Sequence, residues 1–174
     1  MMTVAKKITL IACIFITGFI LGIAIKQTYE AVNLKAYEWR EPHGPIIANC
    51  YGEEFSEVQM IRAVDYWVIR GFPIGFYEHS PPKSLCESDP LQGFIVLRKA
   101  KRNQMADSTL ATTQRGTMGL RILWAEIVYQ PGSQNLDMIN EHELGHALGF
   151  GHLEEEGHIM HPRYDKMGRG FWVP

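Results

Sequence analysis

The apolar positions of this chain fall into three regimes with different periods. Ile8 to Ile25 is an apolar run without a charged side chain. As a helix at about 1.5 Å per residue it would reach roughly 27 Å, near the thickness of a bilayer core. Gln27 to Gly44 is polar and aperiodic, and it leads into Glu41-Pro42-His43-Gly44-Pro45, whose prolines and glycine favour irregular backbone. From there the pattern becomes that of a folded domain. Ile46 to Ala48 suits a short strand. Phe55, Val58, Ile61, Val64, Trp67 and Val68 recur at helical spacing across Glu53 to Arg70, with Glu53 and Glu54 in the first turn and Gly71 past the end. Pro73 to Tyr77 and Gly93 to Leu97 read as strands, separated by a loop containing Pro81-Pro82. Ser108 to Thr113 and Leu120 to Tyr129 are further strands around Gly116 and Gly119. A last helix is expected over Leu136 to Leu148, with Asn135 as its cap. The pattern divides the chain into a membrane segment or signal (1–27), a linker (28–44) and one domain (45–174).

Length and charge narrow the picture. A chain of 174 residues can build one domain with a real core but is short for two. A net charge of −2 without a basic stripe gives no basis for nucleic-acid binding. Lys6 and Lys7 ahead of the apolar run bias that end to the cytoplasm and send the rest across the membrane. The run is long for a signal core, which favours a retained anchor; Gly22 and Ala24 also allow a cut after Ala24 and secretion. Either way the domain lies outside the cytoplasm. Cys13 reads as a small apolar residue of the membrane helix. Cys50 and Cys86 fall on the side where disulfides persist, and three states stay open: a bridge, two buried thiols, or Cys50 as an inhibitory metal thiolate.

Candidate chemistry is concentrated in His142-Glu143-Leu144-Gly145-His146-Ala147-Leu148-Gly149-Phe150-Gly151-His152. Residues four apart share a helix face, so His142 and His146 can offer nitrogens to one metal. Gly149 can end the helix and turn the chain so that His152 returns as a third ligand. Three protein ligands leave a fourth position open, the mark of a catalytic zinc. Glu143 stands beside the ligands, where a general base for an attacking water belongs.

His142-Glu143-x-x-His146-x-x-Gly149-x-x-His152, followed by Met160 in Ile159-Met160-His161-Pro162, resembles the extended zinc motif and Met-turn of the metzincin peptidases, and within them the matrixins. Pro162 stands where astacin-like and serralysin-like enzymes carry a tyrosine, and Pro162-Arg163-Tyr164 is similar to a matrixin pocket wall. The resemblance implies an α+β zincin domain: a twisted, mostly parallel five-stranded sheet with an antiparallel edge strand and two long helices. It implies one catalytic Zn2+ on His142, His146 and His152, with Met160 beneath it. The edge strand near Leu110 and Ala111 would bind an extended peptide, and Pro162 and Tyr164 would line its pocket, Tyr164 as wall or oxyanion helper. Glu141, His158 and His161 are not expected to be ligands, and no structural Ca2+ site is evident. Two features depart from the pattern: no inhibitory pro-segment with its cysteine is visible, and no closing helix follows Met160.

These readings point to a zinc-dependent metalloendopeptidase acting on polypeptides, attached to the membrane through Ile8 to Ile25 or secreted. A catalytically inactive zinc-binding module and a hydrolase of cell-wall amides are the alternatives.

Overall fold

A computed structural model describes residues 38–106 and 108–173. The apolar run Ile8 to Ile25, Cys13 and the boundary at residue 27 lie outside them. Among the described residues no helix is long and apolar enough to cross a membrane.

The described chain runs β1 (Glu38–Trp39), β2 (Ile46–Asn49), α1 (Glu57–Val68), β3 (Phe76–Glu78), α2 (Lys83–Glu87), β4 (Phe94–Lys99), β5 (Ala111–Met118), β6 (Arg121–Tyr129) and α3 (Ile139–Ala147), with a 3-10 turn at Tyr164–Lys166. The strands form one sheet. β3, β2, β4 and β6 follow one another in parallel, and β5 closes the edge antiparallel to β6. β5 pairs along β6 from Arg121 to Tyr129, so the other flank of β6 is shared by β4 and, at Arg121 and Ile122, by β1. The sheet therefore has six strands where five were expected. The extra one comes from the stretch read as linker, because Glu38 and Arg40 bond through their amides to Leu120 and Ile122 at 3.1 Å.

The two longer helices pack on one face of the sheet. Ile47, Ile95, Leu97, Ile127 and Tyr129 from the strands meet Met60, Ala63 and Trp67 of α1 and Leu144 and Ala147 of α3 in one buried core. Trp67 decides how α1 is rotated. Its indole stacks on Phe150 with centroids 5.2 Å apart and donates to the Glu141 carbonyl at 2.7 Å. That orientation buries Met60, Ala63, Tyr66 and Trp67, and it leaves Val58, Ile61 and Val68, expected on the inner face, exposed.

Both long helices begin later than their apolar pattern suggests, for one shared reason. Ser56 caps α1, its hydroxyl accepting from the Gln59 amide at 3.4 Å. Asn135, the expected cap of α3, instead accepts from the Ser56 amide at 3.0 Å and donates to the Glu54 carbonyl at 3.0 Å. It ties the two helix entrances together. The cap position of α3 falls to Met138, whose φ of 63° is left-handed.

The expected edge strand Ser108 to Thr113 is displaced to Ala111–Met118. Gly116 is not a turn residue: it lies in β5 opposite Trp124, at a bulge, and a Cβ there would fall 2.1 Å from the indole nitrogen. The turn is left to Gly119, at φ +61°. Cys50, just past β2, is joined to Cys86 of α2, which removes Cys50 as a metal thiolate. A crosslink spanning 36 residues is worth about 4 kcal/mol in the chain-entropy account.

Candidate metal centre and cleft

α3 is buried nearly all round, with Ile139 to Gly145 and Ala147 withdrawn from solvent. A helix so enclosed places its polar side chains by specific partners. Glu141 points away from the cleft, its carboxylate 3.3 Å from the Arg62 guanidinium and 3.2 Å from that of Arg169. His142 and His146 point the other way. Gly149, at φ +104°, ends the helix, and the Phe150 amide bonds back to the Gly145 carbonyl at 3.0 Å. The reversal brings His152 to the same point in space.

There the three imidazoles converge. His146 Nε2 lies 3.1 Å from His142 Nε2 and 3.0 Å from His152 Nε2. His142 Nδ1 is 2.7 Å from the Ile159 carbonyl and His146 Nδ1 is 2.9 Å from that of Phe150. A carbonyl only accepts, so in both rings the proton sits on Nδ1 and Nε2 is a bare lone pair. Burial pushes the His142 ring down to about 4 and the His146 ring down to about 3, with His142 adding to the depression of the latter, so both are neutral. Two lone pairs 3.1 Å apart repel unless a cation stands between them. The donor set fits a metal ion of the zinc class, with one nitrogen from each of His142, His146 and His152.

Glu143, on the next position of α3, is buried beside this cluster, and desolvation pushes its carboxyl up to about 7. Thr113 of β5 donates to its Oε2 at 2.6 Å and counters part of that rise. Met160 lies beneath the helix with no exposure; a Cβ on Gly145 would fall 2.3 Å from its sulfur and 2.7 Å from the Trp67 ring. Glycine is the residue that permits this approach.

The three histidines and Glu143 open onto a cleft of about 810 Å³ between residues 108–115 and 162–167. Leu110, Ala111, Pro162 and Tyr164 all line it. Two details differ from what was expected. The Leu110 carbonyl already accepts from the Gln130 amide and the Ser133 hydroxyl, so it is not free for a peptide. Tyr164 donates its hydroxyl to the Asp137 carbonyl at 3.0 Å, which occupies the proton an oxyanion helper would give.

His158 and His161 have structural partners. His158 accepts from the Met160 amide at Nδ1 (3.0 Å) and donates to the Trp172 carbonyl from Nε2 (3.1 Å), while His161 accepts from the Arg163 amide at 3.0 Å. The residues after the 3-10 turn pack back onto the core. Ile159 bonds to the Gly170 carbonyl at 2.7 Å, and Phe171 enters the ring cluster of Trp67, Phe72 and Phe150.

The sequence profile of peptidase family M10, the matrixins, matches residues 80–171, more than half of the chain and all of the metal centre. The chain is a matrixin. No curated protein matches it individually. The mostly parallel sheet with few helices fits a matrixin-like fold, and the histidine triad agrees with the zinc that the family implies. Sequence reasoning missed Thr113 and Trp39, whose indole donates to the Ala147 carbonyl at 2.9 Å. Neither has a local signal, since each meets α3 only through the sheet.

Proposed function

We propose that this matrixin is a zinc-dependent metalloendopeptidase. The observation that carries the reading is the convergence of three imidazoles beside a buried carboxylate, at the mouth of a cleft bordered by an antiparallel edge strand. His142, His146 and His152 would hold a zinc ion, which when bound would supply Lewis acidity toward a water and the scissile carbonyl. Glu143 takes the proton from the attacking water and delivers it to the leaving amine. The withdrawn setting of Glu143 raises its affinity for that proton, which suits a group that must hold it between the two steps. β5 pairs with β6 on one side, and its other edge receives the substrate backbone as an added strand, beginning at Ala111 and Thr112, which line the cleft. Pro162 and Tyr164 form the opposite wall.

The test is metal analysis with proteolysis. The full-length protein should carry one zinc per chain and degrade casein, chelation should stop it, and zinc should restore it. Folded protein without stoichiometric zinc would refute the reading. Release of cell-wall fragments with casein left intact would move the substrate to another amide.

We also propose that the domain works outside the cytoplasm, anchored through Ile8 to Ile25. The Lys6-Lys7 flank supports the orientation, and the Cys50–Cys86 bridge suits an oxidising compartment.

A further inference from the structure

Thr113 is the one side chain among the described residues that hydrogen-bonds the Glu143 carboxylate. It sits in β5 opposite Ile127 and turns toward α3, as does Arg115 two residues on, which bonds the His146 carbonyl. Its hydroxyl lies 2.6 Å from Glu143 Oε2 and 3.3 Å from the Glu143 carbonyl. A hydroxyl has one proton to give, and the shorter contact takes it. The last torsion of a glutamate is broad, so a carboxylate with no second contact swings between orientations. Threonine is the opposite case: its β-branch restricts χ1, and the strand fixes its backbone.

We infer that Thr113 is a positioning residue for proton transfer, holding Oε2 of Glu143 on the edge strand so that Oε1 faces the cleft. The inference rests on Glu143 acting as the base. It ties that base to β5, the strand that would also align the substrate backbone, so substrate and base share one reference. A misplaced base then costs rate and leaves peptide binding intact.

The experiment compares zinc-loaded wild type with Thr113→Val, which keeps the shape and removes the hydroxyl, and Thr113→Ser, which keeps the hydroxyl and removes a methyl. For Thr113→Val we expect kcat to fall about 10- to 100-fold with KM within about twofold, at unchanged zinc content. Thr113→Ser should recover most of the rate. Wild-type kcat in the valine variant, or a serine variant as slow as valine, would overturn the inference. Crystal structures of the zinc-loaded proteins supply a readout apart from turnover. The Glu143 carboxylate should rotate in Thr113→Val and stay in place in Thr113→Ser, and an unmoved carboxylate in the valine variant also overturns it. If wild type cleaves no protein, the peptidase reading fails by itself, and the carboxylate positions still decide the role of Thr113.

Discussion

Two of the histidines in the cleft are each fixed at Nδ1 by a backbone carbonyl, which leaves Nε2 with a lone pair for a metal. The neighbouring carboxylate is held at one oxygen only. This difference separates what the residues do. His152→Ala should abolish both zinc binding and turnover, since two protein ligands remain at a site built for three. Glu143→Ala should keep stoichiometric zinc and lose turnover by about 100-fold or more. Zinc content and peptide cleavage measured on both variants check the assignment; full zinc in His152→Ala would place the third ligand elsewhere. The same residues set the acid behaviour of the metal-free protein. Burial holds His142 near 4 and His146 near 3, below their ordinary 6.5, so between about pH 4 and 6.5 the unfolded chain binds protons that the folded chain refuses. Their contribution to stability is present above 6.5 and is lost as pH falls through this window. Glu143 acts oppositely: with its carboxyl raised from 4.5 to about 7, the folded chain keeps a proton that the unfolded chain has released, and that contribution fades as pH rises. Two imidazoles outweigh one carboxyl up to about 6.5. Denaturation midpoints of chelated protein should therefore rise from pH 4.5 to 6.5, and a flat or falling series would contradict the buried neutral rings. The ligands were legible in the sequence because their spacing is local to one helix and its turn. Thr113 was not, because it meets Glu143 across 30 residues through strand register alone.

At the scale of elements, α3 is held by its neighbours more than by its own sequence. Trp67 of α1 donates to the Glu141 carbonyl, Trp39 of β1 to that of Ala147, and Arg115 of β5 to that of His146. Such a helix tolerates little change on its packed side. Gly145→Ala would set a methyl against the Met160 sulfur and the Trp67 ring, and the ring, fixed by its hydrogen bond, cannot yield. We expect a cost of about 1 to 3 kcal/mol, the usual range for overpacking. Met160→Leu keeps nearly the same volume and should cost less than about 1.5 kcal/mol, with a modest fall in activity. Denaturation midpoints of the two variants test the order; a Gly145→Ala protein as stable as wild type would show that the Met-turn is not packed against the helix as described. The existence and order of the expected elements were readable from apolar period. Their ends were not. Ser56 and Asn135 compete to cap two helices, and the outcome depends on contacts 79 and 81 residues apart. The extent of β5 was missed for a similar reason, since Gly116 reads as a turn until Trp124 is laid against it.

Among the described residues the molecule is a sheet with its two longer helices on one face, crosslinked at one end and with β5 at an open edge. The short β1 begins at the first described residue and lies against the start of β6, where Glu38 bonds to Leu120 at the β5–β6 turn. The first described residue thus lies at a defined corner of the sheet. The proposed topology follows from the uncharged run, the two lysines before it and the disulfide after it. A tag placed at Pro174 should be accessible from outside the cytoplasmic membrane, and the full-length protein should fractionate with membranes and resist alkaline extraction. A soluble product beginning near Ile25 would replace the anchor by a cleaved signal and leave the domain on the same side. A tag reachable only from the cytoplasm would overturn both, because neither route leaves the domain in a reducing compartment, and the Cys50–Cys86 crosslink would then lack the oxidising setting in which such bonds persist.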